Sequence, residues 1–210
     1  MVNQLIVREL QTNCWITTLS GGDCIVIDPG GDGELILARL EKLRLCPRYI
    51  VLTHAHFDHI AALPLIASSF PKADIAIHRT EAGKLGPNSL ESHRRDFNAV
   101  GFPSYVETLW EPIPEATMLL EEGDFIGPYK VLHLPGHSPG SIALYRENEK
   151  NLFSGDTLFR AGVGRTDLPG GNEALLIQSL QRLFTLDEDT NVYPGHGPTT
   201  TIRREKNSYR

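Results

Sequence analysis

Cysteine is scarce in this chain. Three occur, at positions 14, 24 and 46, an odd number with no C-x-x-C pair. Such usage gives little material for a disulfide framework, and free thiols in a reducing compartment account for it. Cys24 and Cys46 stand in apolar contexts and read as small core residues. Basic charge is short as well, with 20 Lys and Arg against 26 Asp and Glu and a net charge of −6. A nucleic-acid binder normally shows a basic footprint, which is missing overall. The one basic cluster, Arg203, Arg204, Lys206 and Arg210, reads as a short solvated terminus. No apolar run approaches the ~18 residues of a membrane span, and Met1-Val2-Asn3-Gln4-Leu5 does not begin like a signal peptide. The expectation is a cytoplasmic protein with neither nucleic acid nor membrane as partner.

Against those absences, the 210 residues are 40% hydrophobic and 22% charged, which suits a globular protein with a real core. Leu5–Leu10, Cys14–Leu19 and Cys24–Ile27 are short apolar runs that read as strands, with Ser20-Gly21-Gly22-Asp23 as a hairpin turn. Asp32 is placed to cap a helix carrying Ile36, Leu40 and Leu43, and Pro47 stands beyond its end. A strand over Arg48–Leu52 and one helix from about His59 to Phe70 follow, the helix burying Ile60, Leu63, Ile66, Ala67 and Phe70. Ala73–His78 is the next strand. Thr80–Pro114 is the least regular stretch, with Gly, Pro, mixed charge and an intermittent helical pattern, either a lid or a plain surface excursion. Later strands are expected at Tyr129–Leu134, Ile142–Arg146, Leu152–Ser154 and Asn191–Tyr193, with a helix around Leu176–Phe184. Two β-sheets packed face to face with helices outside would bury all these apolar faces.

Chemistry concentrates in Thr53-His54-Ala55-His56-Phe57-Asp58-His59, directly after the apolar run Tyr49–Leu52. Residues two apart on an extended chain point the same way, so His54 and His56 aim at one place. Asp58 and His59 then approach from a helix start. Imidazole and carboxylate are ligands that zinc, iron and manganese accept. Three further candidates follow strands and adjoin glycine: His137 in Pro135-Gly136-His137-Ser138-Pro139-Gly140, Asp156 in Gly155-Asp156, and His196 in Pro194-Gly195-His196-Gly197. Glycine permits tight turns and close backbone approach there. Together these make the seven ligands that two adjacent ions need when one carboxylate bridges them. His78, His93 and His133 lack this setting.

With Asn13-Cys14, Asp28-Pro29-Gly30-Gly31, Gly155-Asp156-Thr157-Leu158-Phe159 and Gly162-Val163-Gly164-Arg165-Thr166-Asp167 added, the chain resembles the metallo-β-lactamase-fold hydrolases. Within them it is most similar to the short glyoxalase II-like (hydroxyacylglutathione hydrolase-like) proteins. The resemblance implies an α/β (α+β) fold, a four-layer αββα sandwich forming a single domain over residues 1–210. It would lack the C-terminal helical glutathione-binding domain of full-length glyoxalase II, since the sequence ends about fourteen residues beyond His196. By the family pattern, His54, His56 and His137 hold one divalent first-row ion, and Asp58, His59 and His196 hold the other. Asp156 bridges them, and Asp28 accepts an N–H from a ligand imidazole. Zinc is the first expectation for both ions, with iron or manganese as substitutes.

The expected activity is hydrolysis of a small-molecule thioester, S-lactoylglutathione or a relative, by hydroxide generated at the dinuclear site with Asp58 orienting it. Arg165 either holds a substrate carboxylate or forms a structural salt bridge with Asp167. Two other readings stay open from sequence. One is a persulfide dioxygenase-like oxidoreductase with a single iron on His54, His137 and Asp156, and the other a lactonase of the same superfamily.

Overall fold

A computed structural model describes residues 1–208, so Arg210 of the basic tail lies outside the described residues. The chain forms two compact units, Met1–Leu119 and a second from Leu120 onward. The first begins with β1 (Val2–Val7), β2 (Thr12–Thr18) and β3 (Asp23–Ile27), paired antiparallel in sequence. Helix α1 (Gly33–Leu43) leads to β4 (Cys46–Val51), which lies parallel to β3. Two short helices, α2 (Phe57–Ile60) and α3 (Leu63–Ser69), lead to β5 (Asp74–His78), parallel to β4. After α4 (Leu90–Ala99) and α5 (Pro103–Leu109), β6 (Met118–Leu120) completes a six-stranded sheet of order β1-β2-β3-β4-β5-β6.

Alternation decides which face each strand residue joins. Cys24, Val26, Ile50, Leu52, Ile75 and Ile77 form one apolar cluster with Ile36 and Leu40 of α1 and Leu63 and Ile66 of α3. On the opposite face Ile25, Ile27, Val51 and Ala76 are fully buried too. Burial on both faces is why β3 to β5 read as continuous apolar runs rather than alternating ones.

In the second unit, β7 (Phe125–Ile126), β8 (Tyr129–His133), β9 (Ile142–Arg146) and β10 (Asn151–Gly155) run antiparallel in sequence. A small hairpin of β11 (Leu158–Phe159) and β12 (Gly162–Val163) follows, then α6 (Glu173–Leu183). Strand β13 (Asn191–Pro194) lies parallel to β10, β14 (Thr200–Thr201) pairs with it, and α7 (Ile202–Ser208) ends the described chain. The sheet order is β14-β13-β10-β9-β8-β7. Leu176, Leu180 and Leu183 of α6 pack with Leu132, Leu134, Leu152 and Val192, each buried leucine contributing roughly 2 kcal/mol.

Four expectations change. The helix expected over His59–Phe70 is two, because Pro64 in its first turn cannot donate to a preceding turn and Ala62 N–H turns to the Pro29 carbonyl at 2.9 Å. Asp32 stands at the α1 N-cap position with φ 47° but makes no side-chain cap. Its carboxylate accepts the Arg8 backbone N–H at 2.8 Å instead. Cys46, expected in the core, is exposed at the first residue of β4, while Cys14 and Cys24 are buried. The first strand, expected over Leu5–Leu10, is Val2–Val7, and the chain turns at Arg8. The intermittent helical pattern of Thr80–Pro114 falls on two helices, α4 and α5. No described helix is long and apolar enough to cross a membrane.

Candidate metal centre

The first group of candidate ligands is set by the order of strands in one sheet. Strands β3 and β4 run parallel with Ile27 opposite Val51, so Asp28 and the Thr53–His59 stretch leave the sheet side by side. The ends of parallel strands are where α/β folds place their chemistry. Asp28 accepts three bonds there: Thr53 N–H at 2.7 Å on Oδ1, Thr53 Oγ1–H at 2.6 Å on Oδ2, and His59 Nδ1–H at 3.0 Å on Oδ2. The Thr53 hydroxyl has one proton, and Asp28 receives it. Thr53 Oγ1 therefore accepts from His54 Nδ1, 3.1 Å away. Both imidazoles are thus fixed as tautomers that keep the Nε2 lone pair, the form a metal ligand needs.

These side chains crowd one buried spot. His54 and His59 are wholly buried, with His56 and Asp58 nearly so. The His54 ring lies 4.6 Å from that of His56 and 4.2 Å from that of His59. The pairs His54 and His56, His54 and His59, and Asp58 and His59 each bring ligand atoms within 4.8 Å of one another. His59 Nε2 stands 3.6 Å from Asp58 Oδ2, and Thr12 Oγ1 donates to that same oxygen at 3.1 Å. Two ligand atoms at ~2.0–2.1 Å from one tetrahedral ion are about 3.4 Å apart. The His59–Asp58 spacing fits a shared ion and is long for a hydrogen bond.

Phe57, between His56 and Asp58, is the root of the stretch. It is fully buried under residues of the Thr80–Pro114 segment. Trp110 stacks on it at 6.0 Å, and His93, Phe97 and Tyr105 approach at 5.5, 6.1 and 6.2 Å. Lys84 and Asp96 pair at 2.7 Å within the same segment. The segment is therefore packed onto the ligand stretch through an aromatic cluster. Burial lowers the His93 pKa, and His93 Nε2 bonds the Lys84 carbonyl at 2.8 Å. His78 and His133 are likewise bonded, to Thr80 Oγ1 and the Pro139 carbonyl, both at 2.9 Å.

In the second unit the candidates arrive separately. Strands β10 and β13 end together, with Gly195 N–H on the Gly155 carbonyl at 2.9 Å, which sets Asp156 beside His196. His137 follows β8 through Gly136, whose φ is 142°. A Cβ there would stand 2.3 Å from the Leu176 nitrogen of α6, so only glycine fits. Asp156 Oδ2 lies 3.7 Å from His137 Nε2 and 3.5 Å from His196 Nε2, co-ligand spacing on both sides of one oxygen. His137 Nδ1–H donates to the Arg165 carbonyl at 2.8 Å, which fixes its tautomer as well.

Arg165 bonds Asp167 through Nε at 2.7 Å and Nη2 at 2.8 Å. That pair holds the Asp167 pKa down at about 2 and raises that of Arg165. The salt bridge to Asp167 expected of this side chain is therefore formed. The sequence had assigned no role to Thr12, Thr53 or the Arg165 carbonyl. A hydroxyl immediately before the first ligand histidine was the only available signal, and a main-chain acceptor leaves none.

The model of the metallo-beta-lactamase superfamily matches residues 7–196. A probable metallo-hydrolase, YqgX of Bacillus subtilis, is 38% identical over 205 residues, covering 95% of this chain and 92% of that protein. The hydroxyacylglutathione hydrolase GloC of Haemophilus influenzae is 33% identical over 204 residues, covering 96% of this chain and 93% of its own. Among solved structures, TTHA1623 in a di-iron-bound form superposes with a TM-score of 0.83 at 37% identity, covering 97% of this chain and 96% of that one.

Proposed function

Because the chain belongs to the metallo-β-lactamase superfamily, we propose that it is a glyoxalase II-like thioester hydrolase working at a two-ion centre. Its fold is the metallo-β-lactamase fold, of the α/β class, and the coarser description, a metallo-hydrolase with a His and Asp metal site, follows from the family. The observation that carries the two-ion centre is Asp156 Oδ2 standing 3.7 Å from His137 Nε2 and 3.5 Å from His196 Nε2. One carboxylate oxygen between two imidazoles that serve different ions is what a bridging ligand requires.

His54, His56 and His137 are assigned to one ion, Asp58, His59 and His196 to the other, with Asp156 shared. Zinc, or iron or manganese in its place, supplies Lewis acidity and water that ionises near neutral pH. The chain's own part is positioning. Asp28, through Thr53 and directly, holds His54 and His59 as Nε2 ligands, and the Arg165 carbonyl does so for His137. Thr12 donates to Asp58 and fixes its rotation, and Asp58 is the group assigned to orient the attacking hydroxide. A thioester carbonyl needs little general-acid help, because a thiolate is a good leaving group. The thioester class rests on the likeness to a hydroxyacylglutathione hydrolase. Three free thiols suit a reducing cytoplasm.

Elemental analysis paired with S-lactoylglutathione turnover on one preparation tests the reading. Two ions per chain with hydrolysis are expected. One tightly held iron, with oxygen consumed on glutathione persulfide and no thioester cleaved, would replace it with the dioxygenase reading.

A further inference from the structure

All three second-unit ligands lean on the β11–β12 hairpin and its exit. The Phe159 ring meets that of His196 edge-on at 6.1 Å. A Cβ at Gly164 would stand 1.9 Å from the Asp156 carbonyl oxygen, so the two backbones are in direct contact. The Arg165 carbonyl orients His137. Three contacts from one short segment make the ligand geometry depend on where that segment sits.

Its tip is an awkward turn. Phe159 pairs with Gly162, which leaves Arg160 and Ala161 as a two-residue connection. Ala161 has φ 58°, a left-handed conformation that residues with a Cβ adopt at a cost and that glycine takes freely. Such a conformation persists only when its surroundings enforce it. The enforcing group is Glu205 of α7, forty-four residues on, whose Oε2 accepts the Ala161 N–H at 2.8 Å. Its Oε1 accepts from Thr200 Oγ1, and Arg204 Nε stands 3.9 Å off. Glu205 is wholly buried. A buried carboxylate is retained at a cost that its hydrogen bonds must offset, and here one of them is spent on the turn.

We infer that Glu205 is a positioning residue for the metal centre: the carboxylate of α7 pins the Ala161 turn, and through the hairpin it sets His137, Asp156 and His196. The inference rests on the reading of those three residues as metal ligands. It does not depend on which substrate is cleaved.

Competitive titration of zinc against a chromophoric chelator tests it, on wild type, Glu205→Ala, and Glu205→Ala combined with Ala161→Gly. Glu205→Ala should weaken zinc binding about tenfold or more, with the far-UV spectrum unchanged. Glycine at 161 lets the turn form without the carboxylate, so the double variant should recover most of that loss. Ala161→Gly alone, measured alongside, should leave zinc affinity at the wild-type value, which separates repair of the turn from a general gain in stability. Wild-type affinity in Glu205→Ala, or a double variant no better than the single, overturns the inference. Should Glu205→Ala fail to fold, Glu205→Gln enters the same comparison, since its amide can accept from only one of the two donors. A wild-type protein that binds no zinc, iron or manganese would instead overturn the metal reading itself.

Discussion

In Met1–Leu119 four candidate ligands share the six residues His54–His59, and one carboxylate, Asp28, orients two of their imidazoles. From Leu120 onward the three candidate ligands come from three separate strand ends, and the Arg165 main-chain carbonyl orients His137. The first arrangement is encoded in local spacing and one side chain. The second depends on strand register, a hairpin and a glycine under α6. Side-chain substitutions should therefore injure the two groups in different ways.

The largest effect is expected at Asp156, the one residue assigned to both ions. Asp156→Ala should lower kcat/KM for S-lactoylglutathione by about a thousandfold or more and leave fewer than two zinc ions bound, measured by elemental analysis. Near-normal turnover would break the symmetry drawn around its Oδ2. A smaller but shared effect belongs to Asp28. Asp28→Ala removes the acceptor for His59 Nδ1–H and for the Thr53 hydroxyl that in turn accepts from His54. Zinc affinity should fall roughly 10–100-fold, with both binding steps of a chelator titration affected. A loss confined to one step would show that the two imidazoles are held independently.

The smallest effect should come from Arg165→Ala. The contribution to His137 is a backbone carbonyl, which the substitution keeps, and the guanidinium is paired with Asp167 at the surface. Metal content should stay unchanged, and KM for an anionic thioester should rise by no more than about threefold, because exposed ion pairs contribute little. Unchanged kinetics would leave the side chain a purely structural role.

Much of the fold was legible beforehand because both sheets are made of apolar runs that end at glycine, proline or aspartate. Strand β9 fell where its apolar run put it, and β3, β10 and β13 within a residue or two. Local competition explains the misses. Pro64 divided an otherwise continuous helical face, and Asp32 had a closer donor in Arg8 than in its own helix. Cys46 begins a strand at the surface, where an apolar neighbourhood in sequence does not imply burial. Strands β7, β11, β12 and β14 have two residues each, too few to show any period.

The sequence by itself determined which residue types were available for metal chemistry and that His54, His56, Asp58 and His59 would lie together, because spacing within one turn of chain fixes direction. It also carried the family. Only the tertiary structure decided which ring nitrogen of His54, His59 and His137 is committed to a hydrogen bond and which keeps its lone pair. That choice depends on acceptors twenty-five or more residues away in sequence, or on a hydroxyl whose single proton is already committed to one of them. It likewise decided that the buried Glu205 accepts the backbone N–H of a turn beside the second group of candidate ligands. Hydrogen-bond partners of that kind are set by strand register and helix docking, which leave no periodic mark on the residues that make them.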